Sequence, residues 1–197
     1  RSSDLFYKLG PASPCVDAGD GAARVPARDY EGDPRVVRTK PGGLVRPDIG
    51  ADEYVPTGSI HPYGTAGFGY ASFHPRIASP NLAVQAGGTL RLDLLEALDY
   101  ASYTASLGLL LLGTAEQGPL FDLAPLGAPG SLLWQDLALA AAAVPVSAAG
   151  TASAQFSIPG GPTLIGWTFT AQWLAVKPFT NAAGLAATGA LRFTIGQ

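Results

Sequence analysis

Apolar and polar residues alternate strictly through Thr89-Leu90-Arg91-Leu92-Asp93-Leu94. A half-buried strand needs this period of two, because successive side chains point to opposite faces. Leu90, Leu92 and Leu94 are therefore predicted to face a core. The same period recurs at Ala152, Ala154, Phe156 and Ile158, and at Leu191, Phe193 and Ile195 with Arg192 and Thr194 outward. Residues 103–112 and 167–176 are more continuously apolar, as expected of central strands covered on both faces. Pro159-Gly160-Gly161-Pro162 and Gly127-Ala128-Pro129-Gly130 are turn signals between such runs. About seven or eight short strands with frequent turns predict an all-β chain whose larger part, residues 61–197, is an antiparallel β-sandwich. One run, residues 137–143, is Leu- and Ala-rich and has high helix propensity. It is short and runs straight into Val144-Pro145-Val146. Because so short a helix is poorly nucleated, strand or irregular structure is expected there.

Charge divides the chain. Residues 1–57 hold eight basic and nine acidic side chains, and the remaining 140 residues hold four and six. Pro56-Thr57-Gly58-Ser59 is a suitable joint, which predicts a turn-rich first unit, residues 1–60, ahead of the β-sandwich. Gly 25 and Pro 17 favour turns over long helices, and 47% hydrophobic against 14% charged residues argues against disorder. A net charge of -3 lacks the clustered cations that nucleic acid requires, so nucleic acid is dropped as a partner. The longest apolar stretches, residues 107–113 and 137–146, are about half of the ~20 residues a bilayer span needs. No membrane span is expected. The chain begins Arg1-Ser2-Ser3 and has no Met, which reads as a processed product or a fragment. Cys15 is the only cysteine, so an internal disulfide and thiolate zinc clusters are excluded. Between Pro14 and Val16 it is expected to be a small buried apolar residue.

The string from Leu9 through Pro14-Cys15-Val16-Asp17-Ala18-Gly19, followed by Asp29-Tyr30-Glu31-Gly32-Asp33-Pro34-Arg35 and Asp48-Ile49-Gly50-Ala51-Asp52-Glu53-Tyr54, resembles the C-terminal end of secreted bacterial right-handed parallel β-helix proteins, the pectate-lyase-like repeat proteins. Residues 63–197 are similar to a β-rich module at the C-termini of large exported proteins of planctomycete-like bacteria. Tyr63-Gly64, Asp122 through Gly130, Ile158-Pro159, and Gly166 through Ala171-Gln172-Trp173 carry that likeness. The resemblance implies a cysteine soon after the Tyr-Gly pair and a partner cysteine after the Ala-Pro-Gly turn. Here Ala66, Gly67 and Ser131 stand in those neighbourhoods. Export to the cell surface and a structural or attachment role are what the resemblance implies; it supplies no activity.

Asp29, Glu31 and Asp33 place carboxylates at alternate positions, which suits calcium. Counted from Asp29, however, an EF-hand loop would need Gly at Pro34 and Glu at Lys40. Arg24, Arg28, Arg35, Arg38 and Arg46 can neutralise the acidic residues pairwise. No metal, cofactor or catalytic residue is assigned. His61 and His74 each precede proline with no carboxylate or serine near in sequence, so both read as loop residues. Trp134, Trp167 and Trp173 with Tyr70, Tyr100 and Tyr103 could offer a sugar platform; Trp167 and Trp173 share parity and read as interior, leaving Trp134 exposed.

A terminal β-helix coil is stable when it covers the preceding coil. On its own, residues 1–57 would bury too little surface to stand. The missing cover comes from the upstream part of a longer chain or from another copy, by addition of a strand to a sheet edge. The expected function is thus a non-enzymatic extracellular or cell-surface module: an anchor, a scaffold or a self-assembling filament subunit. A carbohydrate-binding accessory of a polysaccharide-degrading β-helix protein is the second reading.

Overall fold

The computed structural model describes residues 9, 13–20, 26, 29, 35, 46–50, 54, 58–67, 74–98, 105–114, 116–136 and 139–197. Eleven strands lie among them: β1 (Ser59–Tyr63), β2 (Arg76–Ala78), β3 (Val84–Gln85), β4 (Thr89–Leu95), β5 (Leu107–Gly113), β6 (Glu116–Asp122), β7 (Leu132–Gln135), β8 (Ala140–Pro145), β9 (Ala152–Ser157), β10 (Thr168–Val176) and β11 (Leu185–Gly196). Two single 3-10 turns, Ala124–Leu126 and Pro162–Leu164, sit at the proline- and glycine-rich breaks. The fold is all-β. More strands form than the pattern announces, because β2 and β3 are too short to display a period.

The main sheet runs β1-β11-β10-β5-β8 with antiparallel neighbours, and β3 joins the end of β11 in parallel. A second sheet runs β2-β4-β9, and β6 pairs with β7 as a separate hairpin. Among the described residues no strand precedes Ser59 and no stacked parallel coil occurs. β1 runs across residue 60 and zips antiparallel onto β11, Ser59 opposite Thr194 through Tyr63 opposite Ala190. No described helix is long and apolar enough to cross a membrane.

Leu90, Leu92 and Leu94 are buried, as their alternation requires. They share one core with Ala171, Trp173, Ala175, Leu191, Phe193 and Ile195 of the main sheet, so the two sheets bury their facing sides against each other. Ala152 is buried in the same core, with Ala154, Phe156 and Ile158 packed at its rim. Gly108 lets β5 approach this layer. A Cβ there would stand 3.1 Å from the Trp173 ring and 3.0 Å from Leu94. The opposite face of the main sheet carries a smaller core of Leu111, Leu174 and Ala187, covered by Leu123, Ala128 and Leu133 around the β6–β7 hairpin. Apolar groups on both faces of β5 and β10 explain their continuous hydrophobic runs. Within the Leu- and Ala-rich run, Ala140–Ala143 take their structure from this pairing too: despite the run's helix propensity, β8 forms as a strand along β5.

One extra residue in β11 lets both cores exist. β10 and β11 pair in constant register from Thr168↔Thr194 to Gln172↔Ala190, and then the register shifts so that Leu174 faces Ala187. The insertion at Thr188-Gly189 is a β-bulge, and it inverts the parity of β11. Leu191, Phe193 and Ile195 point to the large core, whereas Ala187 points to the small one. Gln172, fully buried, holds the bulge. Its Nε2 donates to Thr188 O and to Leu132 O, each at 2.8 Å, and its Oε1 accepts the Trp134 N–H at 3.1 Å. The Trp173 N–H, displaced from the ladder, donates to Thr188 Oγ1 at 3.0 Å. The same side chain thus fixes the bulge and ties β7 down. Gln135 of β7, also buried, has no hydrogen-bond partner for either amide atom among the described residues.

The two glutamines should behave oppositely. Gln172→Ala strands the Trp134 N–H and two carbonyls, and at roughly 1–3 kcal/mol per stranded group it is expected to cost about 3 kcal/mol or more. Gln135→Leu removes a buried amide that bonds to none of the described residues, and is expected to be neutral or stabilising. Urea denaturation midpoints of the two variants check both directions.

Candidate functional site

Of the three tryptophans, Trp167 and Trp134 do not sit where the sequence pattern places them, whereas Trp173 does. Trp173 is buried, but Trp167 lies one residue before β10 and is 38% exposed, with its ring stacked on Phe169 at 6.1 Å between centroids. Gly166, at φ 77°, turns the chain just before the strand begins, so Trp167 escapes the strand's alternation. Trp134 is half-buried rather than exposed. Its Nε1 donates to Thr65 O at 3.0 Å, and its ring lies against Gly64, where a Cβ would stand 2.5 Å from the indole. The Tyr63 hydroxyl donates to Trp134 O at 3.1 Å. Tyr70, Tyr100 and Tyr103 lie outside the described residues.

His61 is on β1, not in a loop, opposite Arg192 of β11. His74 precedes β2 outside regular structure. Of the acidic run Asp29–Asp33, only Asp29 is among the described residues. Cys15 is half-buried in a turn rather than buried.

The first and third strings of the N-terminal resemblance meet. Ile49 N–H donates to Cys15 O at 3.0 Å and Gly19 N–H to Pro47 O at 2.9 Å. Asp48, 3% exposed, lies between them, with one oxygen accepting the Asp17 N–H at 2.6 Å and the other the Tyr54 N–H at 2.7 Å. Arg35 reaches the same turn and donates to Gly50 O. Burial pushes the Asp48 carboxyl above the ordinary value of 3.8, and the Asp17 carboxylate adds to this, against the two backbone donors and Arg35. The positions where the second resemblance implies paired cysteines also meet: a Cβ on Gly67 would stand 2.5 Å from Ser131 Oγ. Gly67 N–H and Ser131 Oγ both bond to Ala187 of β11, at 2.7 and 3.3 Å.

Sheet edges are the other place where chemistry is exposed. Ile195 N–H bonds to Trp167 O at 2.9 Å, so odd residues of β10 and β11 bond to each other. Even residues of β10 then bond to odd residues of β5, and even residues of β5 to even residues of β8. The Val146 N–H, donating to Ser106 O, falls in the same phase. Ala141 and Ala143 consequently aim their amides out of the sheet. Pro145 occupies an outward position where its missing N–H costs nothing. At the other edge, the same counting puts Pro62 of β1 outward. In the second sheet the edge of β4 beyond β2 is capped by Asn81, whose side chain mimics a peptide unit: Oδ1 accepts the Arg91 N–H at 2.8 Å and Nδ2 donates to Thr89 O at 2.9 Å.

The loop between β10 and β11 carries strain. Thr180 N–H bonds to Lys177 O across Pro178-Phe179, and Phe179 has φ 69°. Such a turn places Pro well at its second position but wants Gly or Asn at its third. Phe179 is 98% exposed and borders a concavity of about 510 Å³ with Val176, Pro178, Asn181, Ala183 and Gly184.

Two outcomes follow from these geometries. Phe179→Gly relieves the left-handed backbone without emptying any packed space, so it is expected to raise stability by up to about 1 kcal/mol, measured by thermal or urea unfolding. Because the folded state holds the Asp48 proton to a higher pH than the unfolded chain, Asp48 makes stability fall as pH rises from 3.8 through its raised value. Asp48→Asn is expected to lack that segment of the curve, and unfolding free energies of the two proteins from pH 3 to 7 test it.

No protein-family model, no curated protein and no solved structure matches this chain.

Proposed function

We propose that the chain is a non-enzymatic structural module of an extracellular or cell-surface bacterial protein, an anchor, scaffold or assembly subunit that joins other polypeptide by adding strands to its sheets. The observation that carries this reading is the edge of the main sheet at β8, where Ala141 and Ala143 direct amides outward and no strand among the described residues lies beside them. Backbone groups in that state supply affinity to any added strand, and alternate side-chain positions set its register. The N-terminal unit supports the same reading. Its described turns are held by Asp48 and main-chain bonds, and none of the described residues up to Tyr54 belongs to either hydrophobic core of the β-rich part. Such a unit is suited to continue an upstream β-helix, whose last coil it would cover.

A second reading, a carbohydrate-binding accessory, is favoured by one feature. Trp167 and Phe169 form an aromatic pair with rings inclined by 19°, and the outer ring is open to solvent. A stacked aromatic of this kind presents a flat apolar face to the C–H face of a sugar ring.

Incubation with pectin and alginate is expected to release no product, and turnover by this chain alone overturns the non-enzymatic reading. Tryptophan fluorescence titrated with a polysaccharide panel separates the other two. A flat response supports the structural role, whereas saturable quenching that is lost in Trp167→Ala replaces it with the accessory role.

A further inference from the structure

We propose that the β8 edge is a self-association surface, on which β8 of a second copy pairs antiparallel and extends the main sheet across a two-fold axis. The inference rests on the structural reading above and names the partner at that edge. Three observations converge on a second copy as the occupant.

The first is which edge is open. β1 ends the sheet on its far side, but Pro62 removes an outward donor there, and Gly58 at its start is pressed against Val84 O of β3. β2 carries Arg76 and is continued by the Asn81 side chain, which occupies the backbone groups of Thr89 and Arg91. On β8 only Pro145 is a guard, which leaves the consecutive outward amides of Ala141 and Ala143.

The second is what an incoming strand must look like. The core-facing side chains of β8, Ala142 and Val144, are only partly buried, as is Val146 just beyond, so the rim of the large core is incompletely covered along this edge. A strand lying beside them must present small apolar groups at alternate positions. β8 itself does so, with Ala142 and Val144 on that face. Two antiparallel copies centred on Ala142 set Ala141 of one against Ala143 of the other, exchanging N–H and C=O reciprocally, and neither bond calls on Pro145.

The third is charge. The chain carries a net charge of -3, which opposes association in general, yet residues 137–176 contain no Asp, Glu, Lys or Arg. That stretch includes β8 and also β9, the edge of the second sheet, whose exposed residues are Ser153, Gln155 and Ser157. Strand edges are ordinarily guarded by inserted charge. Here two copies meet through β8 without bringing like charges of that stretch together, and the polar β9 edges remain solvated beside the joint.

Light scattering after size exclusion, over a range of protein concentrations, tests the proposal. The wild-type mass is expected to rise from 20.1 kDa toward twice that value. Ala143→Pro removes an outward N–H while sparing the bonds to β5, and Ala143→Lys places a charge at an exposed edge position. Both variants are expected to stay at 20.1 kDa with an unchanged far-ultraviolet circular dichroism spectrum. A wild-type chain that remains monomeric overturns the pairing, as does association undiminished in both variants. The structural reading fails separately, on polysaccharide turnover or affinity measured with the same preparations; assemblies that persist in both variants leave that reading standing while removing β8 from it.

Discussion

A sheet buried on both faces must settle which side chains go to which face, and here the decision turns on a single inserted residue. Without the bulge at Thr188-Gly189, odd positions of β11 would face one side throughout, and Ala187 would share a face with Leu191, Phe193 and Ile195. The bulge splits the strand into two phases and so serves two cores. It frees backbone groups, and a bulge in a buried strand is tenable only when they find partners. Gln172 and Thr188 provide these from inside the same two strands. The amide of Gln172 also reaches β7, so the covering hairpin is held by the group that secures the bulge beneath it. Local irregularity and tertiary attachment are thus one device.

Several breaks elsewhere rest on side chains that stand in for backbone. Asn81 closes the exposed side of β4, Asn181 bonds both the N–H and the C=O of Leu185 at the start of β11, and the Asp48 carboxylate receives two amides at a turn. Short polar side chains with a planar acceptor reproduce the spacing of a peptide group, which suits them to places where a ladder stops. β8 has no such cap. Its sequence offers only Ala, Val and Pro, and Pro blocks one position without filling the others.

How far these features were legible in the sequence follows from the range of the forces involved. Leu90, Leu92, Leu94 and the trio Leu191, Phe193, Ile195 declared their faces because an unbroken strand keeps its period. The apolar runs of β5 and β10 announced burial on both sides. The bulge was not readable, since Ala186 through Gly189 is a string of small residues in which two phases look alike. Trp167 misled because parity was extended one residue past the end of β10, and Trp134 because the glycine that receives its ring lies seventy positions away. Short strands such as β2 and β3 depend on partners distant in sequence and leave no local mark. In the N-terminal strings, Asp48 of the third accepts the Asp17 N–H of the first, a bond between positions far apart in sequence that leaves no local mark.

The two parts of the chain answer the same problem by different means. In residues 1–57 charge is dense, and the described turns are fixed by a buried carboxylate and main-chain bonds, interactions that are directional and specify one arrangement. In the β-rich part charge is sparse and burial dominates, which gives stability but little discrimination between a sheet's own strands and those of another molecule. Discrimination there must come from which edges are closed. Among the described edges, Pro62 removes an outward donor from β1, Asn81 caps β4 and β8 carries no cap, so on the pairing proposed above the same absence of charge that lets the core form without unpaired ions also leaves β8 as the place where polypeptide is added.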